Sequence, residues 1–240
     1  MSTLEATGYW VKDKQTSLKR LVMRAFSGQF RECYAVAKTL IAQIDPHELR
    51  GIRQRHCTAW PYPRMVKYVV RIQTYMEMAV KRAVMLGLTS GPCRRVLDIG
   101  CGAGYLLFAA RHFGHDVVGI DLPDDPIFSD VIQLLRIPRV EHRVEAFKPL
   151  PEFTEPFDVI TATAICFNNV RTSRPWRLAE WTYFLDDCRS RLRPGGSIWL
   201  ELNRDRQQHY KYLDPETADG LRRYPGATVA ADKSTINVRT

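Results

Sequence analysis

The 240-residue chain has no apolar run approaching the ~18 residues that a membrane-spanning helix requires. Its first residues, Met1-Ser2-Thr3-Leu4-Glu5, lack the basic and apolar regions of a secretory leader. A soluble, cytoplasmic protein with no membrane partner is therefore expected. Six cysteines, at 33, 57, 93, 101, 166 and 188, contain no CxxC pair, which argues against a disulfide scaffold or a zinc ribbon and for reduced thiols. His112 and His115 are three apart, but His115 lies in the Gly114-His115-Asp116 turn, so no metal site is expected. There is no internal repeat, low-complexity tract or linker.

Acidic residues are scarce in one part of the chain only. The net charge is +9, with hydrophobic content of 45% and charged content of 25%, ordinary values for a globular protein. Residues 1–90 hold 15 Lys and Arg against 6 Asp and Glu, whereas residues 91–240 hold 20 of each. The basic excess thus belongs entirely to the first segment. It reads as solvated helix faces or as a surface for an anionic partner such as nucleic acid.

What is present is a glycine turn, Val96-Leu97-Asp98-Ile99-Gly100-Cys101-Gly102-Ala103-Gly104-Tyr105. An apolar, β-branched run ends at an acid, three glycines alternate, and an apolar helix begins. This geometry brings a nucleotide-like ligand against bare backbone. The dinucleotide fingerprint GxGxxG would need glycine where Tyr105 stands, so that class is excluded. Further on, Asp116-Val117-Val118-Gly119-Ile120-Asp121 reads as a second strand ending in an acid suited to ribose hydroxyls.

Val96–Gly104 together with Gly114–Asp121 resembles the cofactor half of class I S-adenosylmethionine (SAM)-dependent methyltransferases. The resemblance implies a Rossmann-like, doubly wound α/β fold with a mostly parallel sheet and a C-terminal antiparallel hairpin. It also implies that Asp98 helps to hold the methionine part of SAM, that Gly100, Cys101, Gly102 and Gly104 admit it to the backbone, and that Asp121 and Leu122 border the ribose. The turn Leu192-Arg193-Pro194-Gly195-Gly196 before a later strand resembles the same position in that superfamily.

Helical periodicity dominates residues 1–90, an N-terminal helical cap ahead of the SAM-binding domain at 91–240. Leu18, Leu21, Val22, Ala25 and Phe26 repeat at three and four, as do Tyr34, Ala37, Leu40, Ile41 and Ile44, the second run ending at Asp45-Pro46. Leu49–Pro63 reads as loop or broken helix, and Arg64–Leu86 as one long helix. Trp60, Tyr62, Lys67 and Tyr68 stand where the cap could fold over the cofactor, packing the cap or facing a sulfonium by cation–π contact. Strands are expected at 94–99, 116–121, 140–145, 157–163 and 197–202, alternating with helices at 105–113, 126–136 and 175–192. A last helix at 214–223 precedes a hairpin of 227–231 and 235–239. Such alternation argues a parallel sheet with right-handed crossovers.

Ligands of such sheets bind beyond the carboxyl ends of the strands. After the third strand come Glu145, Ala146 and Phe147. The resemblance places an adenine-binding acid at this point, which counting from Leu150-Pro151 puts at Ala146 and the strand end puts at Glu145; Phe147 would cover the base. After the fourth strand, Cys166-Phe167-Asn168-Asn169 lacks the Asn/Asp-Pro-Pro-aromatic motif of base N-methylation, and Cys166 lacks the preceding proline of a cytosine-C5 nucleophile. Cys166 is read as packing; Asn168 and Asn169 orient an acceptor or cap a turn. His209 and His56 are the candidate general bases. The expected activity is methyl transfer from SAM to a small-molecule or saccharide-like acceptor, on oxygen. The alternatives are an RNA-modifying enzyme using the basic cap and a non-catalytic SAM-binding scaffold.

Overall fold

A computed structural model describes residues 28–58, 64–167, 174–204 and 212–240. Helices α1 (Gly28–Ala42), α2 (Pro46–His56), α3 (Lys67–Val70, after a 3-10 turn at Arg64–Val66) and α4 (Ile72–Met85) precede the first strand. Then come β1 (Arg95–Ile99), α5 (Tyr105–His112), β2 (Asp116–Asp121), α6 (Pro126–Leu134), β3 (Arg139–Glu141), β4 (Phe157–Ile165), α7 (Leu178–Ser190), β5 (Leu192–Leu202), α8 (Pro215–Arg222), β6 (Ala227–Val229) and β7 (Thr235–Arg239). The seven strands form one sheet in the order β3-β2-β1-β4-β5-β7-β6. The first five are parallel; β7 runs antiparallel to both β5 and β6, the expected terminal hairpin. Among the described residues, no helix is long and apolar enough to cross a membrane.

β1 is central and covered on both faces, which is why it reads as an almost unbroken apolar run. The chain leaves β1 through α5 to β2 on one side, and β4 lies on the other. The crevice at the carboxyl ends of β1 and β4 is therefore the switch point of the sheet. One face is covered by a core in which Leu40 of α1 and Met76 and Val80 of α4 pack with Val96, Leu107 and Val159. The other core joins Leu97, Ile99 and Ile160 to Trp181, Leu185 and Leu221.

Local departures from expectation have tertiary causes. The stretch from Leu49 is helical to His56: the Asp45 carboxylate caps the N–H groups of His47 and Glu48, Pro46 takes the first turn, and Leu49 and Ile52 are buried. The expected long helix of 64–86 breaks at Arg71 (φ −108°, ψ 38°). There the carbonyl of Tyr68 accepts from the Tyr105 hydroxyl at 2.9 Å and that of Val69 from Arg53 Nε at 3.0 Å, so two helix acceptors are taken by distant donors. The third strand covers Arg139–Glu141 rather than 140–145, because β2, with which it pairs, ends at Asp121, opposite Glu141. β5 begins at Leu192, so the Arg193-Pro-Gly-Gly segment is an irregularity within the strand; Gly195 adopts φ +79°. The expected helix at 18–26 lies outside the described residues.

Candidate functional site

Gly100, Gly102 and Gly104 adopt φ of +71°, +55° and +72°, the left-handed region that a side chain rarely tolerates. The N–H groups of Gly100 and Cys101 both donate to the carbonyl of Ile120, folding the turn across β2. Gly104 caps α5, and a Cβ there would lie 2.7 Å from Ile132 Cδ1. Cys101 is buried against Gly119, whose missing side chain makes the space for its sulfur. Burial, with Asp98 and Asp121 nearby, pushes this thiol well above its ordinary value, so it stays protonated.

Two carboxyls converge on the turn. Asp121, at the end of β2, accepts one hydrogen bond on each oxygen: from Gly102 N–H on Oδ2 and from Leu122 N–H, at 2.7 Å, on Oδ1. Burial raises its pKa, opposed by those two bonds and by Arg139. Each oxygen keeps a further lone pair, which is what a vicinal diol needs. Asp98, at 1% exposure on β1, is held by Thr161 Oγ1 at 2.7 Å. Burial pushes its pKa up to about 7, against the hydrogen bond from Thr161 and the charge of Arg82. The Thr161 hydroxyl also lies 3.3 Å from the carbonyl of Leu97. It donates to Asp98 when that carboxyl is ionised, and to Leu97 when Asp98 carries the proton and donates instead.

This donor set fits SAM. A buried acid poised near neutrality is matched by an ammonium group, Asp121 by ribose hydroxyls, and the glycine backbone by close approach of the ligand. The remaining expected residues are dispersed. Glu145 is exposed and bonded to Lys148 at 2.7 Å. Ala146 is partly buried, and Phe147 is 52% exposed at φ +60°, its ring edge-on to Tyr183. His56 sits on Asp130 of α6 at 2.8 Å, a carboxylate that Arg55 also holds; these hydrogen bonds, outweighing burial, keep the Asp130 pKa below the ordinary range. His209, Asn168, Asn169, Trp60 and Tyr62 lie outside the described residues.

Phe128 and the Arg82–Glu201 pair were not singled out from sequence, whereas Tyr68 was. Phe128 of α6 lies under the turn: a Cβ on Gly102 would sit 3.6 Å from its ring. Tyr68 packs edge-on to Phe128 at 5.0 Å and against Tyr75 at 4.2 Å, so α3 and α4 reach the turn through one layer of aromatic rings. Arg82, on the last turn of α4, makes a two-pronged ion pair with Glu201 of β5, both contacts at 2.9 Å. The only local sign of Arg82 is a cation on the helix side of Met78, Ala79 and Met85. Nothing local joins it to a residue 119 positions away.

Residues 97–198 match the family model of a methyltransferase domain. With the fold and the glycine turn, this identifies residues 97–198 as a methyltransferase domain of the class I SAM-dependent kind. Over 112 residues the chain is 36% identical to the tRNA U34 carboxymethyltransferase of Azotobacter vinelandii, covering 45% of this chain and 32% of that protein. Over 108 residues it is 32% identical to the ubiquinone biosynthesis O-methyltransferase of Rhizobium etli, covering 44% of this chain and 40% of that protein. The chain thus spans about a third of the length of these curated relatives. Among solved structures it resembles the SAM-bound amino pentose methyltransferase CalS10 of Micromonospora echinaspora, with a TM-score of 0.51 and 15% identity over 74% of this chain and 97% of that one. That likeness is one of fold.

Proposed function

We propose that the protein transfers the methyl group of SAM to an oxygen of a small-molecule or saccharide-like acceptor. The observation that carries the cofactor half of this reading is the convergence of Asp98, Asp121 and three left-handed glycines at the switch point between β1 and β4. SAM, when bound, supplies an electrophilic methyl group on a sulfonium. The chain's own work is alignment. Asp121, itself held by Gly102 and Leu122, orients the ribose, and Asp98 faces the ammonium end. Tyr68 and Phe128 form an aromatic wall beside the turn, able to face a cation and to exclude water. Glu145, Ala146 and Phe147 border the adenine in this reading. His209 and His56 remain the candidates for taking a hydroxyl proton. Residues 1–90 act as the acceptor-side cap of the SAM-binding domain at 91–240. Six free thiols support a cytoplasmic location.

Oxygen as acceptor is supported by similarity to the ubiquinone biosynthesis O-methyltransferases and by the lack of an Asn/Asp-Pro-Pro-aromatic run after β4. A second reading, methylation of RNA, is favoured by the +9 charge confined to residues 1–90 and by similarity to a tRNA-modifying enzyme. Incubation with methyl-labelled SAM and separate metabolite and RNA fractions tests both. Label in the metabolite fraction supports the first reading. Label confined to RNA replaces it with the second, and label in neither leaves a SAM-binding scaffold.

A further inference from the structure

β4 and β5 pair regularly from Val159 with Ser197 to Thr163 with Glu201; the next pair is Ile165 with Leu202. Ala164 is therefore an extra residue on β4, a β-bulge, and its φ of +59° puts an ordinary L-residue in the left-handed region. Bulges of this kind re-aim the chain beyond them. Beyond this one lie Ile165, Cys166 and Phe167. Ile165 rests against the cofactor turn, since a Cβ on Gly100 would sit 3.6 Å from its Cγ2. Phe167 stacks on Trp176 at 4.1 Å, and its carbonyl accepts from Trp176 N–H at 2.7 Å. The segment thus spans from the glycine turn to an aromatic cluster.

One side chain holds the bulge from the neighbouring strand end. Asn203 uses its backbone N–H to reach the carbonyl of Ile165 at 3.0 Å. Its side-chain amide donates to the carbonyl of Ala164 and lies 3.2 Å from Cys166 Sγ. The displaced Ala164 carbonyl is thereby satisfied, and the left-handed conformation gains a partner that an extended strand would not offer. We propose that Asn203 is a positioning residue: by locking the bulge at Ala164 it sets the placement of Ile165–Phe167 beside the cofactor turn, on the side where the acceptor enters. This rests on the methyltransferase reading for its acceptor side only; the lock itself is a property of β4 and β5.

Cys166 is a built-in reporter. In the intact protein, alkylation of Cys166 by iodoacetamide, read by peptide mass spectrometry, should accelerate at least fivefold in Asn203→Asp, which presents an acceptor to the Ala164 carbonyl. The exposed Cys93 should react at an unchanged rate, and the thermal midpoint should move little. Ala164→Gly, which adopts the left-handed conformation without strain, should restore at least half of the protection in the double variant. SAM affinity by calorimetry should stay within twofold of the parent. Initial label transfer from SAM into the small-molecule fraction of a cell extract should fall tenfold or more. Unchanged Cys166 alkylation overturns the proposal, and so does a tenfold loss of SAM affinity, which would make Asn203 a cofactor residue. Failure of the parent protein to bind SAM would overturn the methyltransferase reading, while the alkylation result would still decide the lock.

Discussion

Replacing Asp98 with Asn should change how stability depends on pH. With no ligand bound, the folded protein holds this carboxyl at about 7 instead of 3.8, burial being the chief cause. The native state therefore keeps a proton that the unfolded chain releases as pH rises through 4. Where the native state binds more protons, stability falls with rising pH, so stability should decline from about pH 4 and level off above about 7. At about 1.4 kcal/mol per unit, the shift corresponds to about 4 kcal/mol between the two ends of that window. The substituted carboxamide would be neutral throughout, and it can donate to Thr161 as the protonated acid does. Urea unfolding of both proteins from pH 4 to 8 should show the variant gaining on the parent by an amount of that order. Other titrating groups are common to the two proteins and cancel in the difference. Curves that stay parallel across the window would refute the reasoning. The same balance predicts that SAM binding at pH 6 expels the proton, since an ammonium group beside Asp98 favours the carboxylate. Calorimetry in two buffers of different ionisation enthalpy would detect it, and heats independent of buffer would count against the assignment.

Asp121→Ala removes both the diol partner and the acceptor of Gly102 N–H, and should weaken SAM binding tenfold or more by calorimetry; affinity equal to the parent's would remove the ribose assignment. Gly104→Ala combines a left-handed φ, worth about 1–2 kcal/mol, with a 2.7 Å approach to Ile132, worth about 1–3 kcal/mol. Gly195→Ala has φ +79° with no atom within 4 Å of the new Cβ, so its urea midpoint should fall clearly less. His115 is buried, accepting from Arg94 N–H at 3.1 Å on Nδ1 and donating from Nε2 to the carbonyl of Leu88 at 2.8 Å. His115→Leu strands both backbone groups and should cost about 1–3 kcal/mol for each in chemical unfolding.

The parts of the molecule legible in the sequence are those whose causes are local. Alternating glycines after an acid can be read because left-handed backbone angles select residues one at a time. The strand and helix alternation can be read because burial on two faces writes continuous apolar runs. Asp45-Pro46 shows the limit of that reading. It follows the end of α1 as expected, but the same two residues start α2, Asp45 as its cap and Pro46 in its first turn, with Leu49 and Ile52 buried behind them. The break at Arg71 depends on Tyr105 and Arg53, which no window around residue 71 contains. Arg82 with Glu201, Phe128 under Gly102 and Asn203 on Ala164 are meetings of distant segments; each residue taken alone is an ordinary member of its helix or strand. Contacts of this kind leave no mark in any one stretch of sequence, which is why they were the less legible part.

The continuous core that joins α1 and α4 to α5 bears on how the chain is made. Leu40, Met76 and Val80 share their burial with Leu107 of α5, so α1 and α4 cannot finish their packing until α5 exists. Helices α1–α4 precede α5 in synthesis, and α1 can close on α4 as soon as α4 exists, because those two pack together. The side facing α5 must wait. At 5–20 residues per second, the stretch from the end of α4 at Met85 to the end of α5 at His112 takes roughly 1–5 s to appear. For that interval an apolar surface of Ala, Val and Met side chains stands open to whatever else is in the cell, and the timing of exposure is set by the order of the helices along the chain.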